Sequence, residues 1–217
     1  MACEGVIVQR TPQLTSLDVS QNTKLTKLFC SKNQLTNLDI SKNIALEQLY
    51  CNDNQLTNLD ISETTTLGNL YCSNNLLTSL DISKNTVLGI LSCYNNQLTN
   101  LDVSKNTKLI WLYCNNNQLI NLDVSENTGL TKLFCESNQL TSLDVSKNIE
   151  LTYFNCSRNN FSENGLNAMF GTLHNNSIPF WGSTLPKEIS IYENPGTDNC
   201  DKSIAEKKGW EIIDKQN

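Results

Sequence analysis

The chain has 217 residues, nine cysteines, a single histidine and a formal net charge of −6. Lys and Arg form no cluster, which excludes the basic face that a nucleic acid or an anionic membrane surface would need. No run of about eighteen apolar residues occurs, so no segment reads as a membrane-spanning helix.

Residues 1–13 read as a degenerate leading strand that covers one end of the core. Ile7 falls one period before Leu28, and Gln9 stands where the same period would place Cys30. The segment has no apolar h-region of a secretory signal. Ala2-Cys3 resembles the residue pair at a bacterial lipoprotein cleavage site, which would make Cys3 a lipidation point.

From Leu14 to Asn160 the chain is seven copies of a 21-residue unit with the pattern Leu-x-x-Leu-Asp-Val/Ile-Ser-x-Asn-x-x-Leu-x-x-Leu-x-Cys-x-x-Asn-Gln. Cys30, Cys51, Cys72, Cys93, Cys114, Cys135 and Cys156 mark the period, and each is followed three residues later by Asn. A repeat of this length predicts a solenoid in which every turn buries its apolar side against the next. Within one turn, Leu35, Leu38, Ile40, Leu46, Leu49 and Cys51 point inward, and each fully buried Leu or Ile contributes ~1.5–3 kcal/mol. Strand alternation places Leu49 and Cys51 on one side and Tyr50 on the other. Asn54 is the turn residue whose amide satisfies unpaired backbone. A second asparagine column runs through Asn22, Asn43, Asn85, Asn106, Asn127 and Asn148, broken only by Thr64.

Stacked cysteines on strands ~4.8 Å apart do not match the ~3.8 Å Cβ separation of a disulfide, so the ladder reads as buried thiols acting as small hydrophobes. Cys3 and Cys200 lie outside it, free or paired.

Leu-x-x-Leu-x-Cys-x-x-Asn-x-Leu, joined to Leu-x-x-Leu-Asp-Val/Ile-Ser, resembles the 21-residue repeats of internalin-like leucine-rich repeat proteins of bacterial surfaces and secretions. The resemblance implies an α/β solenoid, mostly β, coiled right-handed around a parallel sheet, with a small α/β C-terminal cap. It divides the chain into a lead at 1–13, repeats at 14–160 and a cap at 161–217. Beyond Asn160 the repeat is expected to fail. Phe161 takes the next Leu position, and Ser162 caps a helix whose face is Leu166, Met169, Phe170 and Leu173. A strand at Ile189–Tyr192, a turn at Asn194-Pro195-Gly196, a helix from Cys200 to Lys208 and a strand from Trp210 follow. The order Asn-Pro-Gly, Cys-Asp, Lys-Gly-Trp is similar to caps of Bacteroidetes-type proteins and would hide the open edge of the last turn.

Catalytic chemistry has little to build on. His174 has no base beside it and reads as a solvent-exposed cap residue. Asp18, Asp39, Asp60, Asp81, Asp102, Asp123 and Asp144 supply one carboxylate per turn, too few for calcium, and are expected to hydrogen-bond to neighbouring turns. No catalytic residue, metal site or cofactor is expected.

The outward strand positions carry the functional reading. The central column is Phe29, Tyr50, Tyr71, Ser92, Tyr113, Phe134 and Asn155, five of seven aromatic, with Tyr94, Trp111 and Tyr153 in the flanking columns. Large rings pointing away from a core among Asn, Ser and Gln have the composition of a recognition surface. The chain therefore reads as a monomeric, non-enzymatic adhesion or host-interaction module, extracellular or on a bacterial surface. Its concave sheet would grip a protein ligand, a host surface protein among the candidates, through Phe29, Tyr50, Tyr71, Tyr94, Trp111, Tyr113, Phe134 and Tyr153. A glycan ligand and a structural stalk whose rings merely stack are the alternatives.

Overall fold

The computed structural model describes residues 6–7, 13–180 and 183–216. Eight short strands come first: β1 (Val6–Ile7), β2 (Lys27–Phe29), β3 (Gln48–Tyr50), β4 (Asn69–Tyr71), β5 (Ile90–Ser92), β6 (Trp111–Tyr113), β7 (Lys132–Phe134) and β8 (Tyr153–Asn155). They pair in parallel in chain order, and from β2 to β8 each partner lies one 21-residue period along. Strand β1 departs from the expected register. Val6, and not Ile7, pairs with Leu28, because the connection to β2 is one residue longer than the period. Cys3 and Gln9 lie outside the described residues.

The inward positions are buried in every turn, as Leu35, Leu38, Ile40, Leu46, Leu49 and Cys51 illustrate. Strands end after three residues because the chain then enters the left-handed region at Lys32, Asp53, Asn74, Asn95, Asn116, Ser137 and Arg158, one residue before the asparagine that recurs in each repeat. Non-glycine residues enter that region at a cost, least for Asn and Asp. The next residue repays it. Asn54 Oδ1 accepts from Leu35 N at 3.0 Å, while Nδ2 donates to the carbonyls of Cys30 and Cys51, both at 3.0 Å. One side chain thus closes its own turn and ties it to the one before.

The second column is tied less completely. Asn43 Nδ2 donates to Val19 O at 3.1 Å and Asn22 O at 2.9 Å. The Oδ1 atoms of Asn43, Asn85, Asn106, Asn127 and Asn148 are buried and accept nothing from the protein. The Thr64 side chain stays within its own turn, Oγ1 donating to Ile61 O at 2.9 Å. The aspartate column also stays local, contrary to the expectation of bonds between turns. Asp60 Oδ1 accepts from Ser62 N at 3.0 Å, and its six equivalents do the same. The short Asp side chain reaches its own backbone two residues on more readily than it reaches a neighbouring turn.

After buried Phe161, Ser162 Oγ accepts from Gly165 N at 3.1 Å and caps α1 (Glu163–Thr172). Leu166, Met169, Phe170 and Leu173 bury its inner face. A small antiparallel hairpin follows, β9 (Pro179–Phe180) with β10 (Ser183–Thr184), which the sequence did not announce. The chain then returns to the sheet. Strand β11 (Lys187–Ser190), two residues earlier than expected, pairs in parallel with β8 so that Ile189 lies beside Phe154.

The repeat therefore does not fail at Asn160 but is interrupted and resumed. Ile191 takes the cysteine position, Glu193 has φ of 56°, and Asn194 Nδ2 donates to Cys156 O at 3.1 Å and Ile191 O at 2.7 Å. Asn194 Oδ1 accepts from Phe161 N at 3.3 Å, across 33 residues where Asn54 Oδ1 accepts from Leu35 N across 19. The signal was present in Ile189-x-Ile191-x-x-Asn194, which repeats Leu-x-Cys-x-x-Asn with the cysteine replaced.

A four-residue helix, α2 (Ser203–Glu206), shorter than the expected span, leads through Gly209 (φ 78°) to β12 (Trp210–Ile213), which pairs with β11. The cap thus covers the edge of β8 by extending the sheet with two strands. His174 is buried rather than exposed, at 9%. Its Nε2 lies 2.7 Å from Leu151 O, Nδ1 accepts from Asn176 N at 3.1 Å, and the ring meets Trp210 edge-on.

Candidate ligand-binding face

All eight aromatic residues singled out in the sequence lie on the sheet face opposite the core, and each is half-buried. They bury one another. Phe29 stacks on Tyr50 with ring centroids 4.6 Å apart and planes 19° from parallel, and Tyr50 on Tyr71 at 4.4 Å and 11°. A second stack joins Tyr113 to Phe134 at 4.9 Å and Phe134 to Tyr153 at 5.0 Å. Tyr153 belongs to the flanking column and leans across because buried Asn155 holds the central position, where its Oδ1 accepts from Ser157 N at 3.1 Å. The parallel register explains the stacking, since rings at one repeat position are carried at the strand spacing of ~4.8 Å.

Ser92 separates the two stacks. It is 3% exposed, and above it opens a cavity of about 260 Å³ between Tyr71 and Tyr113, bordered by Tyr94 and Trp111. Burial pushes both wall phenols above their usual pKa, and Tyr71 is raised further by Tyr50 and by Tyr113 across the gap. Lys132 Nζ sits 5.1 Å from the Trp111 ring centroid, a cation–π contact on the flank of the second stack.

A polar border runs along the same side. Ser31 Oγ donates to Asn52 Oδ1 at 2.6 Å, Asn74 Nδ2 to Asp53 Oδ1 at 2.7 Å, and Asn95 Nδ2 to Asn74 Oδ1 at 2.6 Å. Burial raises the Glu136 carboxyl to about 6, against a smaller opposing effect from Arg158. Neither the gap at Ser92 nor the half-buried Glu136 was recognised from sequence. A single Ser in an otherwise aromatic run was the available signal for the first.

Two groups considered for chemistry are spoken for. Burial pushes the Cys30 and Cys93 thiols up to about 12 and raises the other ladder cysteines as well. Thiolate is the reactive form, so the ladder is chemically quiet, and the ladder cysteines and Cys200 are free thiols. Both ring nitrogens of His174 are engaged by backbone, and burial lowers its pKa.

No protein-family profile and no curated protein matches the chain. Among solved structures, the functional domain of InlJ from Listeria monocytogenes, which includes a cysteine ladder, is 38% identical with a TM-score of 0.79, matching 94% of this chain. The chain is an internalin-like leucine-rich repeat protein. It spans 42% of that InlJ domain. Internalin C2 of Listeria monocytogenes shares the fold at 22% identity and a TM-score of 0.62, over 66% of each chain. The leucine-rich repeat ectodomain of the Arabidopsis thaliana receptor kinase GASSHO1/SCHENGEN3, in complex with CASPARIAN STRIP INTEGRITY FACTOR 2, shares it at 22% identity and a TM-score of 0.65, over 81% of this chain and 22% of the ectodomain. Among the described residues of the internalin-like chain, no helix is long and apolar enough to cross a membrane.

Proposed function

We propose that the chain is a non-enzymatic protein-binding module of a bacterial surface or secreted protein, recognising its ligand through the ring-bearing face of the sheet. The observation that carries this reading is the array of half-buried rings, Phe29, Tyr50, Tyr71, Tyr113, Phe134 and Tyr153, displayed in two stacks on one exposed face. Stacked rings offer large contact area with little rotamer freedom left to lose on binding, and Tyr and Trp dominate binding energy at interfaces. A protein ligand on a shared fold has precedent in the plant receptor ectodomain, solved with its bound factor. The internalin-like resemblance supports an extracellular setting, with a host surface protein among the candidate ligands.

The test is capture from host or neighbouring-cell surface extracts, comparing the parent chain with a Tyr50/Tyr71/Tyr113 triple-alanine variant whose fold is checked by circular dichroism. A protein held by the parent and lost by the variant is the expected result. Equal capture by both moves the rings to a purely structural role, as in a stalk. Capture of glycan in place of protein would favour the carbohydrate reading.

A further inference from the structure

The two ring stacks would be one continuous stack if position 92 carried a ring, since Tyr71, Ser92 and Tyr113 pair across consecutive strands in register. With Ser92 between them, Tyr71 and Tyr113 are two strand spacings apart, ~9.6 Å. Neighbouring rings in this chain stack at 4.4 to 5.0 Å. A flat ring entering midway would therefore meet a wall on each side at the distance the protein already uses.

We propose that this slot is a receptor for one aromatic side chain of the protein partner, which supplies the ring that the repeat omits at Ser92. The inference rests on the ring-bearing face being the binding surface. Size favours a side chain over a free small molecule: the cavity of about 260 Å³ falls below the ~300–1,000 Å³ of ordinary ligand pockets. Charge favours a neutral ring over an arginine. Tyr71, Ser92, Tyr94, Trp111 and Tyr113 carry no formal charge, and Lys132, seated on the Trp111 ring, would oppose a guanidinium. Asn52 and Ser73 at the margin can meet a polar tip, so a tyrosine or tryptophan is accommodated as well as a phenylalanine. A ring entering here is desolvated on both faces, the geometry in which aromatic anchors concentrate binding energy.

Ser92→Phe tests the slot from inside. The new ring should complete the stack, raise the midpoint of thermal unfolding by a few degrees and fill the cavity. A lower midpoint would mean that the gap does not admit a ring and would overturn the proposal. Ring resonances of Tyr71, Tyr113 and Trp111 should shift when the parent is titrated with N-acetyl-tyrosine amide at millimolar concentration, and should not shift in Ser92→Phe. Absence of shifts in the parent, shifts that persist in the variant, or stronger shifts with methyl glucoside would each overturn it.

The two readings separate in the capture experiment. If Ser92→Phe still captures the partner that the triple-alanine variant loses, the slot reading falls and the binding face stands. If the triple-alanine variant captures that partner as well as the parent does, the face itself is lost. The expected outcome is at least a tenfold loss of partner affinity in Ser92→Phe.

Discussion

The repeat array and the C-terminal cap are built from the same sheet, yet they hold together differently. From Leu14 to Asn160, one set of apolar positions and one pair of asparagine columns recur in turn after turn, so each contact has near-copies on either side. From Phe161 onward most contacts occur once. Gly196 N donates to Phe161 O at 2.9 Å, and a Cβ at Gly196 would lie 2.2 Å from Glu163 N and 2.3 Å from Ser162 C. Lys208 Nζ donates to the carbonyls of Phe170, Gly171 and Leu173 at the end of α1, while buried Lys187 Nζ donates to those of Asn176 and Lys208. Repetition spreads stability along an axis, with each turn supported by its neighbours. The cap concentrates it in single close approaches that nothing duplicates.

The largest effect that breaks this comparison should come from the array. Leu112, fully buried in β6 at the middle of the stack, becomes a cavity in Leu112→Ala, and a loss of ~2–5 kcal/mol is expected. Urea denaturation measures it. A loss below about 1 kcal/mol would show that neighbouring turns collapse into the space.

Gly196→Ala should cost at least the upper end of the ~1–3 kcal/mol typical of overpacking, because the new Cβ meets backbone, and should place the damage at one end by pushing apart the turn and the start of α1. Limited proteolysis should then cut within 161–217 before the repeats. Gly171→Ala is the matched control. Nothing lies within 4 Å of its new methyl, so a gain of ~0.5–1 kcal/mol from the stiffer helix is expected. Equal proteolysis patterns in the two variants would remove the close approach from the account of the cap.

Thr64→Asn sharpens the comparison within the array. It would restore the missing member of the second column, adding Nδ2 bonds to the carbonyls of Ile40 and Asn43 as its equivalents make to theirs. It would give up the Thr64 bond to Ile61 O and bury one more unpartnered Oδ1. A net gain of ~0.5–1.5 kcal/mol is expected in urea denaturation. A net loss would mean that desolvating Oδ1 outweighs the two new bonds.

Much of the array was legible in advance because its determinants are local and periodic. Leu49 and Cys51 inward, Tyr50 outward, Asn54 as the bond-making turn residue and Ser162 as the helix cap all follow from spacings of a few residues. The errors fall where a residue chooses among partners at different distances. Asp60 bonds its own turn, and His174 is enclosed by Leu151 and Trp210, which arrive from opposite directions in the chain. The aromatic column was likewise legible residue by residue, but the value of Ser92 was not, because an omission has meaning only once its neighbours are stacked on either side.

By itself the sequence determined the period, the six inward positions of each turn, the cysteine ladder as buried thiols and the aromatic face, since strand alternation and a constant repeat length translate directly into columns. Tertiary structure alone decided the one-residue offset of β1, the return of the chain at Asn194 after a 35-residue lap, the burial of His174 and the ring-sized gap between Tyr71 and Tyr113. Each of those depends on which distant segments meet. That is a matter of closing space around a shared core, for which a run of residue types carries no distance information.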